Sequence, residues 1–233
     1  MIEQPRPHRS TEAFFGRRKG KHIRDSQIEA IETLIPVIGL DLAKLAPDPL
    51  AALWPGGVDS IRMEIGFGAV EHLLHRAADE PRTGFIGVEP FITSMGKMLM
   101  GLREAGLENV RVYDDDATRV LDWLPDAGLD RIDLLYPDPW PKRKHWKRRF
   151  VGPANIDRFA RVLKRGGTFC FASDIDTYVN WTLRHFIADD RFRWVAEKAA
   201  DWREPWAGWP GTRYEKKAFR EGRPPAYLTF ERL

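Results

Sequence analysis

The feature that most constrains the fold of this chain is an alternation of strand and helix patterns that begins near residue 58 and repeats about five times. In the first unit the short apolar run "SIRMEIGFG" is followed by the helical pattern "VEHLLHRAAD". Alternation of this kind favours an α/β fold, a mostly parallel sheet with helices on both faces. The last two strand patterns, "FRWVAEKA" and "PAYLTFERL", have no clear helix between them. We therefore predict seven strands, of which the last two form an antiparallel hairpin.

The chain divides into two parts by composition. Residues 1–25 are basic and punctuated by Pro, Gly and Ser, which predicts a flexible basic arm. Residues 26–233 carry the periodic patterns and are long enough to form a single domain with its own core.

Charge and cysteine usage narrow the class of protein. The net charge is only +3, but cations cluster at residues 6–24 and 142–149, and such clusters favour a polyanionic partner. The single cysteine, Cys170, excludes an internal disulfide and favours a reducing compartment. No apolar run reaches membrane-spanning length, and the N-terminus lacks a secretory signal, so we expect a cytoplasmic protein without membrane association.

His72 and His75 lie one helical turn apart, and we interpret them as partly exposed helix residues, with no metal site.

Acidic side chains recur at the ends of the predicted parallel strands. Ligands of open α/β sheets bind at these carboxyl ends, so the acids predict a binding site there. The residues concerned are Glu64, the turn from Gly66 to Gly68, Glu89, Asp116, Asp138 and Asp174.

The turn "EIGFGAVEH" and the next two strand ends indicate the kind of cofactor. The stretch after Gly68 contains Val70 and no third glycine, so a pyrophosphate at this helix start is disfavoured, and a nicotinamide-dependent dehydrogenase with it. Glu89 follows the glycines by about 20 residues, where an acid accepts hydrogen bonds from a ribose diol. Asp116 could meet an adenine edge. S-adenosylmethionine, an adenosine without phosphate, fits this pattern best.

The stretch "YPDPWPKRKHWKRRF" holds one acid rigidly beside a dense group of cations. Pro137 and Pro139 each fix their own φ and extend the residue before them, so Asp138 is held in place at the strand end. The cations and Trp146 that follow suit phosphate contacts and stacking on RNA. We leave open whether the N-terminal arm also contacts RNA or is disordered, and whether Trp202, Trp206 and Trp209 stack on bases or anchor the end hairpin.

These motifs carry a family resemblance. The stretches "EIGFG", "IGVEP", "DDDA", "YPDPWPKRKHWKRR", "ASD" and "TRYE" occur in this order, and the chain resembles the bacterial tRNA (guanine-N7-)-methyltransferases. It differs from the usual pattern in Val70, where glycine or another small residue is common, and in Tyr136, where phenylalanine is common.

The resemblance implies a Rossmann-like fold, S-adenosylmethionine as co-substrate, and N7-methylguanosine at position 46 of the tRNA variable loop as product. It implies that Asp138 is the active-site residue and that the cofactor contacts are Glu64, Gly66, Gly68, Glu89, Asp116 and Asp138. The implied substrate contacts are Lys142, Asp174, Thr212, Arg213, Tyr214 and Glu215. The implied RNA contacts are Lys144, His145, Trp146, Lys147, Arg148 and Arg149.

Guanine N7 carries a lone pair and needs no deprotonation, so such an enzyme would work by alignment and electrostatics. We expect Asp138 or Asp174 to receive the N1 and N2 donor edge of guanine, with Lys142 near O6 or a phosphate. Two alternatives remain: a methyltransferase that acts on another nucleic-acid base, and a non-catalytic RNA-binding protein on a Rossmann scaffold.

Overall fold

The structure is a computed structural model that describes residues 18, 20 and 22–233. Most of the predicted basic arm, residues 1–25, lies outside the described residues. Of its described part, the backbone carbonyl of Arg18 accepts a hydrogen bond from the backbone N–H of Ile92, and the Arg18 side chain pairs with Asp115. The first helix, α1 (Asp25–Ile38), contains Pro36 in its last turn.

Seven strands form one sheet in the order β3-β2-β1-β4-β5-β7-β6. They are β1 (Ser60–Ile65), β2 (Thr83–Val88), β3 (Val110–Tyr113), β4 (Leu129–Leu135), β5 (Leu163–Ser173), β6 (Phe192–Trp194) and β7 (Ala226–Arg232). Strands β1 to β5 pair in parallel, whereas β7 is antiparallel to both β5 and β6. The predicted α/β class, the strand number and the antiparallel end are confirmed.

Helices connect the strands and cover both faces of the sheet. The further α-helices are α2 (Glu71–Asp79), α3 (Ile92–Ala105), α4 (Ala117–Trp123), α5 (Pro153–Val162), α6 (Asp176–Ile187), α7 (Ala200–Arg203) and α8 (Arg213–Arg220). Successive residues of a strand point to opposite faces. Accordingly, Phe85 packs in the cluster that contains Leu73 of α2 and Met98 of α3, while Ile86 belongs to the other cluster, which contains Phe159 of α5.

The connection between the last two strands differs from the prediction. We expected no helix there, but α7 and α8 both lie between β6 and β7, and β7 inserts between β5 and β6. The prediction of a simple hairpin was therefore wrong in its connection. Helix α8 has only eight residues, and tertiary packing of its inner side, rather than a long apolar period, holds it in place.

Candidate active site

A cavity of about 950 Å³ lies at the carboxyl ends of the parallel strands. Its size falls within the range of small-molecule sites. Five of the six residues predicted to contact the cofactor line it: Gly66, Gly68, Glu89, Asp116 and Asp138. The sheet therefore brings together three acids, Glu89, Asp116 and Asp138, that are as much as 49 residues apart in sequence.

The turn after β1 has an unusual backbone. Gly66 and Gly68 have φ of +73° and +48°, values that glycine adopts without strain. Val70 follows at φ +72°, in the left-handed region that a β-branched residue rarely occupies. This conformation gives a physical reason for a preference for glycine at position 70, since glycine alone would adopt it without strain.

Glu89, which directly follows β2, bonds to the glycine turn through its carboxylate. One oxygen of its carboxylate accepts the backbone N–H of Gly68 at 2.8 Å, and the other accepts that of Phe91 at 2.9 Å. Burial raises the pKa of Glu89 above its ordinary value, the two backbone hydrogen bonds oppose this, and the carboxylates of Asp138 and Glu64 add to the rise. A ligand that donates hydrogen bonds or carries positive charge would therefore favour the ionised form of Glu89.

Asp116 and Glu64 occupy different positions relative to the cavity. Asp116 caps α4 by accepting the backbone N–H of Thr118 at 3.0 Å, and it lines the cavity. Glu64 is buried behind the glycine turn, and its carboxylate lies 2.6 Å from Nδ1 of His72.

His72 is a residue whose role the sequence analysis missed. We expected a partly exposed histidine, yet His72 is only 5% exposed, and its ring lies 4.9 Å from that of Trp209. Burial by itself lowers the pKa of His72, but the Glu64 carboxylate raises it, and the net pKa lies above the ordinary 6.5. No local pattern gives this contact, because Glu64 on β1 and His72 on α2 meet only through the fold of the glycine turn between them.

Asp138 sits in a backbone segment that is strained at both ends. Tyr136 has φ +49° and Trp140 has φ +44°, and both are bulky residues in the left-handed region. Each such residue costs on the order of 1–3 kcal/mol and persists only where its surroundings enforce it. The side chain of Asp138 is accessible to solvent and lines the cavity between these two residues.

Arg149, which also borders the cavity, fixes this segment through its guanidinium. Its Nε donates to the carbonyl oxygen of Pro139 at 3.0 Å, and its two terminal nitrogens donate to the carbonyl and hydroxyl oxygens of Thr177 at 2.7 and 3.0 Å. The guanidinium also lies 4.6 Å from the ring centre of Trp146 and 4.8 Å from that of Tyr178. Arg149 is 5% exposed. Its donors are thus directed into the protein rather than towards an external phosphate.

The remaining cations of this segment lie on a 3-10 helix, Arg143–Arg148, which we call the basic 3-10 helix. Lys142 precedes it, and Lys142, Lys144 and Lys147 are exposed to solvent. Lys147 and Arg148 line the cavity. His145 and Trp146 are half-buried, and the guanidinium of Arg148 lies 4.9 Å from the ring centre of Trp140.

The C-terminal connection supplies the opposite wall. Arg213 and Tyr214, the first residues of α8, line the cavity, and a Cβ atom at Gly68 would be 3.4 Å from the Tyr214 ring. Thr212 caps the helix by accepting the backbone N–H of Glu215 at 3.1 Å.

Glu215 and Asp174 both bond within the protein. Glu215 is buried, where it accepts hydrogen bonds from Nε1 of Trp209 at 2.8 Å and from the hydroxyl of Tyr227. Asp174, at the end of β5, forms an ion pair with Arg223 at 2.7 Å. Trp209 is therefore anchored through Glu215 to Tyr227 of β7, which supports anchoring over base stacking for this tryptophan.

The described residues hold neither a metal cluster nor a membrane-spanning helix. Among residues 18, 20 and 22–233, no group of three or more His, Cys, Asp or Glu side chains could hold a metal ion. The same part of the chain contains no helix long and apolar enough to cross a membrane.

Comparison with known proteins places these features in context. A family model described as "Putative methyltransferase" matches residues 59–228. The tRNA (guanine-N(7)-)-methyltransferase of Agrobacterium fabrum is 63% identical over 231 residues, covering 99% of this chain and all of the relative. That of Rhizobium johnstonii is 61% identical over the full length of both chains. Among solved structures, the 16S rRNA methyltransferase KamB is similar with a TM-score of 0.56 at 14% identity, over 82% of this chain and 96% of that one, which shows the fold.

Proposed function

The chain belongs to the tRNA (guanine-N(7)-)-methyltransferase family, and on this premise we propose that it transfers a methyl group from S-adenosylmethionine to N7 of a guanosine in tRNA. One observation carries the proposal. A cavity of small-molecule size, the rigidly held Asp138 and the basic 3-10 helix meet at the carboxyl ends of the parallel strands. The finer proposal is that the target is guanosine 46 of the variable loop, and that the enzyme acts in the cytoplasm.

The cavity residues fit S-adenosylmethionine. The open glycine turn allows a ligand to approach the backbone, since a Cβ atom at Gly66 would meet nothing within 4 Å. We assign the ribose hydroxyls to Glu89, because its carboxylate has acceptor capacity beyond the two backbone N–H groups that it already binds. Asp116 is assigned to the adenine edge, and Glu64 contributes negative charge beneath the turn. When bound, S-adenosylmethionine supplies a methyl group that is already activated by its attachment to a sulfonium.

The protein's own task is to align guanine and to stabilise charge. As the N7–methyl bond forms and the methyl–sulfur bond breaks, positive charge passes from sulfur to the guanine ring and no proton has to leave first. Preorganised negative charge beside the ring stabilises that state. Asp138 meets this requirement, because the strained segment from Tyr136 to Trp140 holds it at the cavity wall without a further conformational search.

We assign the substrate contacts around this acid. Asp138 or Asp174 receives the N1 and N2 donors of guanine, and Lys142 lies near O6 or a phosphate. The stretch from Thr212 to Glu215 forms the facing wall, in which Arg213 and Tyr214 are the side chains that reach the cavity.

The RNA contacts are assigned to the basic 3-10 helix. Exposed Lys144 and Lys147 can reach backbone phosphates, with His145, Trp146 and Arg148 beside them. For Arg149 we propose a different role from the RNA contact predicted from sequence, namely to hold the Pro139 carbonyl and thereby position Asp138.

One experiment tests the activity. The protein is incubated with S-adenosylmethionine and an unmodified tRNA transcript, and N7-methylguanosine is mapped by reductive strand scission. We expect cleavage at guanosine 46 only when both enzyme and cofactor are present. Methylation of a different base atom would support a methyltransferase of other specificity. Binding of tRNA without methylation and without uptake of S-adenosylmethionine would instead support the non-catalytic alternative.

A further inference from the structure

The outward side of α8 carries cations that the assigned site does not use. The inner side of the helix is made by Glu215 and Ala218, both buried. The intervening positions are exposed, and we call the following group the α8 cationic face: Lys216, Lys217, Phe219 and Arg220.

The charges of this face are largely uncompensated. Glu215, the acid of α8, points inward, so no carboxylate of the helix shares the outer side with the cations. Within the described part of the chain, Lys216 and Arg220 form no ion pair, and Lys217 approaches Glu221 only to 3.8 Å. A helix surface that serves solvation alone normally interleaves both signs of charge. This face therefore has a positive potential available to an anion.

An aromatic ring lies among these cations. The Phe219 side chain is 59% exposed. The helix macrodipole would favour cations in the last turn, which accounts for Lys217 and Arg220 but not for Lys216 or for an exposed aromatic residue. Cations combined with an exposed aromatic ring are the combination that binds phosphate groups and stacks on bases or sugars.

The position of α8 links this face to the cavity. The helix begins at the cavity wall with Arg213 and Tyr214, and the basic 3-10 helix borders the same cavity through Lys147 and Arg148. A guanosine inserted from a polynucleotide has a phosphate on each side of its ribose, so the RNA strand must leave the cavity in two directions. One cationic element can follow only one of them.

We propose that the α8 cationic face binds the tRNA backbone on one side of the target guanosine while the basic 3-10 helix binds it on the other. The proposal rests on the proposed function, because it takes tRNA as the substrate. It adds a second phosphate-binding surface, which makes the cavity the centre of a two-sided footprint.

The test compares two double variants that each remove two positive charges. K216A/R220A acts on the α8 cationic face. R82A/R165A is the control. Arg82 directly precedes β2 and Arg165 is the third residue of β5, so both lie at the amino ends of the strands, away from the cavity. Affinity for a tRNA transcript is measured at several salt concentrations, and affinity for S-adenosylmethionine by calorimetry.

We expect K216A/R220A to bind tRNA roughly tenfold more weakly at about 0.1 M salt, with a slope of log K against log salt that is shallower by about 1 to 2. R82A/R165A should retain wild-type affinity and slope, and both variants should bind S-adenosylmethionine normally. Wild-type affinity in K216A/R220A, or an equal loss in both variants, would overturn the proposal. Methylation by the wild-type protein is assayed in parallel. If the wild-type protein methylates tRNA while K216A/R220A binds tRNA normally, only the proposed role of the α8 cationic face is refuted. If the wild-type protein neither binds nor methylates tRNA, the proposed function fails as well.

Discussion

The guanidinium of Arg149 and the carbonyl of Pro139 are joined by a hydrogen bond of 3.0 Å, which connects the end of the basic segment to the residue that follows Asp138. Ten residues separate the partners, and the two other hydrogen bonds of Arg149 reach Thr177 on α6. The cation is therefore a brace between the active-site segment and a helix of the core.

Replacement of Arg149 tests this brace. A lysine keeps the charge but cannot reproduce the forked set of hydrogen bonds, so Arg149→Lys should lower the free energy of unfolding by about 2 kcal/mol. It should also reduce kcat for tRNA methylation by about tenfold or more, with little change in affinity for S-adenosylmethionine. Urea unfolding and single-turnover assays measure the two effects.

The matched control is Arg143→Lys, at an exposed residue of the basic 3-10 helix that ends just before Arg149, which should leave both quantities unchanged. If Arg149→Lys behaved like this control in stability and in kcat, Arg149 would be a simple charge donor to RNA and the brace would be refuted.

Asp138→Asn tests the proposed acid directly. The substitution keeps the shape of the side chain and removes its charge, so stabilisation of the developing positive charge on guanine is lost. We expect kcat to fall by about 100-fold, the size of effect seen when one preorganised electrostatic group is removed. Asp190→Asn, an exposed carboxylate before β6, is the control and should retain full activity. A rate for Asp138→Asn within a few fold of wild type would remove Asp138 from the mechanism.

The buried pair of Glu64 and His72 should make stability depend on pH. Because the pKa of His72 is raised in the folded state, its contribution to stability is fully present below the ordinary pKa of 6.5 and is lost as pH rises through the folded value. His72→Gln should therefore lower the free energy of unfolding by about 2–3 kcal/mol near pH 6 and by less near pH 9.

His75→Gln is the control for that measurement. His75 lies one turn further along α2, where its ring is 39% exposed and its partner Asp79 is also exposed, and exposed pairs contribute little. A difference between wild type and His72→Gln that stayed constant from pH 6 to pH 9 would show that folding does not raise the pKa of His72.

Val70→Gly should stabilise the protein. Relief of a left-handed β-branched residue gains about 1–3 kcal/mol, and the added freedom of glycine in the unfolded chain costs about 0.5–1 kcal/mol, so the net gain should be about 1 kcal/mol. Val195→Gly, at an exposed residue outside the positive-φ group, should instead lose stability. Equal losses for both variants in chemical denaturation would mean that Val70 is not strained.

The sequence predicted the parts of the site that depend on strand ends. Parallel strands place their carboxyl ends together, so Glu89, Asp116 and Asp138 could be expected to meet once the alternation was recognised. The two prolines likewise predicted a rigid segment around Asp138. What local pattern could not give is the left-handed backbone of Tyr136 and Trp140, since only tertiary contacts can hold bulky residues there.

The burial of Arg149 and the formation of α8 also depend on contacts that the local sequence does not show. A cation within a basic run is ordinarily exposed, and its burial here depends on Tyr178 and Thr177, which lie 28 or more residues away in the chain. Helix α8 was missed because its inner side contains few apolar residues, and Glu215, its buried acid, is satisfied by Trp209 and Tyr227 from other elements. Residues whose role depends on one distant partner leave no periodic trace.

The insertion of β7 between β5 and β6 affects when the cavity can exist. A polypeptide emerges from the ribosome N-terminus first, and domains fold as their segments become available. Glu215 and the wall that carries Arg213 and Tyr214 are tied to Tyr227, so this wall can assemble only after the last strand has been synthesised and has entered the sheet. A nascent chain could thus form its glycine turn and the segment around Asp138 early and still lack the wall that encloses the cavity, so the proposed methyl transfer has to wait until β7 is in place.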